Sequence, residues 1–210
     1  MRPAAAAAPV EEASVMSEPV ETFEVNGKTV KIYHDEDAES PRNDDDLGVM
    51  LCWHRRILLG DEQIRPSDFG EDLGEVREKL GEERGAALIL PVYIYEHGQI
   101  TITARESVYA MYPDKEWDAG QVGFIYAEEA AILKEYSIES ITEEMLEKVR
   151  EVLEGEVETY DQYLTGDVWG FVIEDEEGVE SDEHGDSCWG FFGLEYCRQE
   201  ARAAAGGETE

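Results

Sequence analysis

Carboxylates and imidazoles are the groups in this sequence from which chemistry is most readily built. Asp118, Asp161 and Asp186, with His54 or His184, are of the types that bind a divalent cation such as Mg²⁺ and position a phosphate. That signal is cheap, because 51 of the 210 residues are Asp or Glu and such sets arise by composition. The acidic loop after His34 lacks the spaced ligands of an EF-hand, and the acids of Asp182-Glu183-His184-Gly185-Asp186 are crowded rather than spaced. No metal site and no cofactor is therefore expected. His54-Arg55-Arg56 is the clustered basic spot; without a serine or a defined carboxylate partner, pairing of its arginines with the acidic majority is expected before catalysis. Cys52, Cys188 and Cys197 are an odd number without C-x-x-C spacing and read as reduced thiols.

What the chain concentrates is negative charge. Against 51 acids stand 17 Lys or Arg, for a formal net charge of −34. A field of that sign repels DNA, RNA and anionic membranes and favours a basic partner. Residues 151–197 contain no Lys or Arg, but fifteen acids and eight aromatics. A disordered acidic tail is poor in aromatics, so this stretch is expected to fold. Glu147, Glu151, Glu154, Glu158 and Asp161 recur at steps of four and three, a line of carboxylates along one helix. Glu174, Asp175, Glu176 and Glu177 continue the charge into a hairpin turn, and Asp182, Glu183 and Asp186 into its return. With Trp117, Trp169 and Trp189 as apolar anchors, these residues form the expected partner-binding surface.

The elements that must hold them follow from periodicity. Asn26-Gly27 between alternating residues 22–25 and 28–33 predicts a hairpin. Residues 47–53 read as a buried strand. Ser67 or Asp68 is the expected cap of a polar helix over 71–83. Residues 87–95 and 99–103 flank His97-Gly98 as a second hairpin. Residues 105–118 show no period and read as a long ordered loop. A strand over 121–126 and a short helix over 128–136 follow. Thr142 caps the best-defined helix, with Ile141 and Leu146 as a hydrophobic staple, a buried stripe of Met145, Val149, Val152, Leu153, Val157, Tyr160 and Leu164, and Gly166 as its stop. A hairpin over 167–173 and 188–192 carries two Trp-Gly-Phe triplets, whose rings are expected to cover the opposing glycine or to mark a bulge. A helix over 194–205 closes the chain.

The fold class expected is α+β, a single domain over 20–204 with antiparallel hairpins on two or three helices. Residues 1–19 and 205–210 are expected to be disordered tails. No stretch approaches the ~20 apolar residues of a membrane span, so a soluble, cytoplasmic protein is expected.

Four blocks carry a resemblance: Leu47-Gly48-Val49-Met50-Leu51-Cys52-Trp53-His54-Arg55-Arg56, Trp117-Asp118-Ala119-Gly120-Gln121-Val122-Gly123-Phe124-Ile125-Tyr126, Val157-Glu158-Thr159-Tyr160-Asp161-Gln162-Tyr163-Leu164-Thr165-Gly166 and Asp186-Ser187-Cys188-Trp189-Gly190-Phe191. Together they resemble a family of small proteins encoded by bacteriophages, prophages and other mobile elements, a family that brings no assigned activity and so no functional residue. The composition is also similar to that of DNA-mimic inhibitors, the antirestriction and uracil-DNA-glycosylase inhibitor proteins, in charge and not in sequence. The leading expectation is a non-enzymatic protein that inhibits a basic, nucleic-acid-binding host protein by offering it a DNA-like row of carboxylates. A metal-dependent enzyme or small-ligand pocket, and a phage accessory or structural protein, are the alternatives. Partner identity and oligomeric state are not legible.

Overall fold

Asn26 and Gly27 both take positive φ, 52° and 79°, and join β1 (Glu21–Val25) to β2 (Lys28–His34). Positive φ at both turn residues is what a tight, twist-matched hairpin requires. The structure is a computed structural model that describes residues 18–42, 45–65, 67, 72–174 and 187–206. Among these the chain continues as β3 (Val49–Cys52), β4 (Glu62–Gln63), α1 (Leu73–Arg84), β5 (Ala86–His97), β6 (Gln99–Thr103), α2 (Glu106–Met111), α3 (Lys115–Asp118), β7 (Ala119–Glu128), α4 (Glu129–Glu135), α5 (Glu143–Thr165), β8 (Val168–Glu174), β9 (Ser187–Phe192) and α6 (Leu194–Ala204). This is the α+β class the sequence predicts, with more helices than the two or three expected.

The strands form two sheets. One has the order β1-β2-β8-β9 and is antiparallel throughout, so the first and last hairpins of the described chain lie side by side. The other has the order β4-β3-β7-β5-β6, antiparallel except for the short parallel pairing of β3 with β4. Each face of the five-stranded sheet finds a helix. α5 lays Val149, Leu153, Val157 and Tyr160 on Met50, Leu90, Val92, Ile94 and Ile125. α1 covers the opposite face with Val76 and Leu80 against Leu51, Ile89, Phe124 and Tyr126. α6 closes the four-stranded sheet through Cys197 and Ala201 against Val30, Ile32, Phe171 and Ile173. Ala205 also packs into this cluster at 3% exposure, so the ordered chain runs past the tail boundary expected at 205.

Three local expectations are corrected. The cap of α1 is Asp72, whose carboxylate accepts from the N–H groups of Gly74 and Glu75, and not Ser67; Asp68 lies outside the described residues. Residues 105–118 are two short helices rather than a loop. Val152, expected in the buried stripe of α5, is instead 37% exposed, one position from the buried Leu153. Among the described residues no helix is long and apolar enough to cross a membrane.

Candidate functional site

α5 begins as its sequence predicts: the Thr142 hydroxyl accepts from the Met145 N–H at 3.2 Å, and Gly166 ends it in the left-handed region at φ 74°. The carboxylate line along it divides by function. Glu147 and Glu151 point to solvent, Glu147 with only a loose contact of 3.6 Å to Arg150. Further along, Arg105 reaches over from the end of β6, donating from Nε to Glu154 at 2.9 Å and lying 3.3 Å from Glu158. Asp161 accepts the backbone N–H of Ile102 at 2.6 Å. β6 is the outer strand of its sheet, so that N–H has no strand to pair with, and an unpaired donor at a sheet edge is both costly and adhesive. The carboxylate satisfies it, and Gln99 adds a bond from Nε2 to the Thr165 carbonyl at 2.8 Å. Burial pushes the Asp161 carboxyl up to about 6, with the Ile102 N–H pulling the other way and Glu158 and Asp167 adding to the rise. Arg105, Tyr112, Glu154, Glu158 and Asp161 line a small cleft of about 160 Å³.

The 105–118 segment borders the same cleft. Its inward residues are Val108, Tyr109 and Tyr112, and the rest of residues 105–117 is exposed. Tyr109 stacks on Tyr93 with ring centroids 4.0 Å apart, and Tyr112 on Tyr95 at 4.9 Å. Lys115 lies 5.7 Å from the Tyr109 ring centroid, and His97 Nδ1 is 3.0 Å from an Asp118 oxygen. Its exposed residues include Met111 and Trp117, 75% and 87% exposed, the acids Glu106, Asp114 and Glu116, and Lys115.

The other two tryptophans differ from this and from each other. Trp169 is only 6% exposed, stacked on His34 at 3.9 Å and donating from Nε1 to Asp167 at 2.6 Å. It is a core residue, which corrects its place among the partner-binding anchors. Trp189 is 42% exposed and lies flat over Gly170: a Cβ there would fall 2.1 Å from the indole. The close approach comes with a register shift between Trp169 and Phe171, so the Trp-Gly-Phe hairpin combines the covering ring with the bulge.

Arg42, Asp46, Asp61 and Glu156 form an ionic cluster around a buried guanidinium, of which the sequence gives no sign. The Arg42 side chain is 5% exposed and contacts Asp46, Asp61 and Glu156 at 3.1, 2.7 and 3.1 Å. Its Nη2 also donates to the Gly48 carbonyl at 2.6 Å. Burial works against the Arg42 charge, but the hydrogen bond and charge of Asp61, the charge of Asp46 and the hydrogen bond to Glu156 outweigh it and raise its pKa. Glu156 Oε1 in turn accepts from the N–H groups of Leu47 and Gly48 at 2.9 and 3.2 Å. Gly48 permits this: a Cβ there would lie 2.5 Å from Leu153 of α5.

His54, Arg56 and Glu96 help to line a larger cavity of about 590 Å³. The His54 Nδ1 accepts from the Ile57 N–H at 3.2 Å, which leaves Nε2 to face Glu96 at 3.4 Å. Arg56 donates to the same carboxylate oxygen at 2.6 Å, the internal pairing expected of the arginines, seen here for Arg56. These groups hold the Glu96 carboxyl below the usual carboxylate range against the opposing effect of burial, which is the largest single influence; the hydrogen bonds from Arg56 and His54 come next.

Asp118 and Asp161, the carboxylates of the alternative metal-site reading, are engaged separately by His97 and by the Ile102 N–H. Among the described residues no group of three or more His, Cys, Asp or Glu is arranged to hold a metal ion. Glu174, the one acid of the expected turn within the described residues, is ion-paired with Lys31. Asp175, Glu176, Glu177, Asp182, Glu183, His184 and Asp186, with residues 1–17 and 207–210, lie outside the described residues. Fold and site together define an acidic α+β protein with two sheets and an anionic helix clamped across one of them. Compared with family models, with curated proteins and with solved structures, the chain matches none.

Proposed function

We propose that this chain is a cytoplasmic, mobile-element-encoded protein that binds and inhibits a basic, nucleic-acid-binding host protein, without itself being an enzyme. The observation that carries the proposal is the clamped α5. Glu147 and Asp161 are separated by about 21 Å at a rise of ~1.5 Å per residue, and the line of Glu147, Glu151, Glu154, Glu158 and Asp161 spans that length, Glu156 being turned away towards Arg42. The mean spacing of about 5 Å approaches the ~3.4 Å per phosphate of one DNA strand. Because α5 is fixed by its core stripe and by Arg105, little ordering entropy is lost when the row is met by lysines and arginines. Arg105 tempers the charge at Glu154 and Glu158, so the freest part of the row is Glu147 and Glu151.

The test is competition. A panel of purified DNA-binding enzymes is titrated with the protein across a salt series, with labelled duplex DNA as competitor. A partner whose DNA is displaced, with affinity falling steeply as salt rises, supports the proposal; binding that ignores salt, or that leaves DNA in place, counts decisively against it.

A further inference from the structure

We propose that Met111 and Trp117 form the specificity-determining anchor of this protein's binding face, and that their occupant is a lysine- or arginine-rich segment of a partner protein carrying apolar residues among its charges. The inference rests on the binding function proposed above and names the surface that reads the partner.

Three observations converge on the α2–α3 segment. First, it adds little to the core: α2 and α3 contain no buried residue, and only Val108, Tyr109 and Tyr112 turn inward. Second, it is nonetheless held firmly, by the two tyrosine stacks onto β5 and by the His97–Asp118 contact. A chain that needed only to connect β6 to β7 requires no such support. Third, Trp117 and Met111 are among the most exposed large apolar side chains of the described residues, and the exposed acids of their segment, Glu106, Asp114 and Glu116, outnumber Lys115, Arg105 being paired with Glu154 and Glu158. Asp114 enters α3 in the left-handed region, at φ 48°, which turns the chain just before Trp117.

The charge determines the occupant. A neutral apolar partner would have to strip water from the surrounding carboxylates without replacing it, whereas a basic one pairs with them. A purely cationic partner would leave the indole wet, and buried tryptophans at the centre of an interface carry a disproportionate share of affinity. The surface therefore suits a segment with both properties. Trp169 cannot serve, being in the core, and Trp189 spends one face on Gly170.

Two synthetic peptides of equal lysine content test this, one with leucines at helical spacing and one with serines in their place. Each is titrated by calorimetry into the wild-type chain, Trp117→Ala and Met111→Ser, with circular dichroism to show that the variants stay folded. The leucine peptide is expected to bind the wild type at least tenfold more tightly than the serine peptide, with Trp117→Ala removing most of that difference and Trp117→Phe restoring part of it. Equal affinity for the two peptides, or a leucine preference that survives both Trp117→Ala and Met111→Ser, overturns the anchor while the salt-dependent affinity of both peptides leaves the binding function standing. Failure of both peptides to bind at low salt overturns both.

Discussion

Arg42 Nη1 and Glu156 Oε2 lie 3.1 Å apart across 114 residues of sequence, joining the loop before β3 to the middle of α5. The Arg42 guanidinium also spans Asp46 and Asp61, so its removal would leave three carboxylates together, two of them partly open to solvent. Breaking one member of a fully buried ionic cluster costs ~3 to 5 kcal/mol, and the solvent reaching Asp46 and Asp61 brings the expectation here to ~2 to 3 kcal/mol. Arg42→Ala should therefore lower the unfolding free energy by about that much, read as a lower urea midpoint at unchanged slope. A loss below about 1 kcal/mol would mean that the cluster is hydrated and contributes as surface pairs do.

Asp161 gives a pH dependence of definite sign. Its folded pKa of about 6 lies above the ordinary 3.8, so the folded state holds the proton more tightly. Between those values the fold gains from protonation of this group, and the gain is lost as pH rises through about 6. Asp161→Asn keeps the acceptor for the Ile102 N–H and removes the charge. The variant should be more stable than the wild type above pH 6, by about 1 kcal/mol once partial exposure is allowed for. The difference should vanish near pH 4; thermal melts at both pH values measure it, and a constant offset between the two proteins would refute the assignment.

Gly170 and Trp189 form a pair suited to a double-mutant cycle. Gly170→Ala drives a methyl into the indole at 2.1 Å, and overpacking of this kind costs ~1 to 3 kcal/mol. In a Trp189→Ala background the same change should cost much less. Additive effects would show that something other than the ring opposes the methyl.

The thiols should report their surroundings directly. Cys188 is exposed, while burial pushes both Cys52 and Cys197 up to about 12. Ellman's reagent is expected to modify Cys188 promptly in the native protein and the other two only in denaturant. Rapid native reaction of more than one equivalent would place either buried thiol nearer the surface.

On α5 the charges can be separated from the scaffold. Replacing Glu147 and Glu151 with glutamine removes two exposed acids and touches neither the core stripe nor the Ile102 bond. Affinity for a basic partner should fall severalfold and its salt dependence should flatten, with the melting temperature almost unchanged. Loss of affinity without any change in salt dependence would assign these residues a role other than charge.

How far the sequence foretold this structure depends on where each element draws its support. The Asn26-Gly27 hairpin and the span of α5 from Thr142 to Gly166 are specified locally, by turn residues, a cap and a stop, and the structure has them in place. α2 and α3 have no side-chain cap and no apolar period, being held by rings on β5 that precede them in the chain, so nothing within 105–118 could announce them. The carboxylate line is readable from its spacing; that Arg105 and the Ile102 N–H engage its C-terminal half is not, because both partners come from β6 and its end. Arg42 gave no signal at all. Its partners are common acids at unremarkable spacing, and only Gly48, which lets α5 approach, hints at a crowded junction.

The pairing of β2 with β8 brings His34 opposite Trp169. On a ribosome adding ~5 to 20 residues per second, the first hairpin waits on the order of ten seconds for its neighbour, and a lone hairpin is marginal in water. The five-stranded sheet, whose strands all lie between Val49 and Glu128, is free to form in that interval. A nascent chain halted before β8 should thus carry a protease-resistant middle and a cleavable start, the last-made strands being the ones that lock the first.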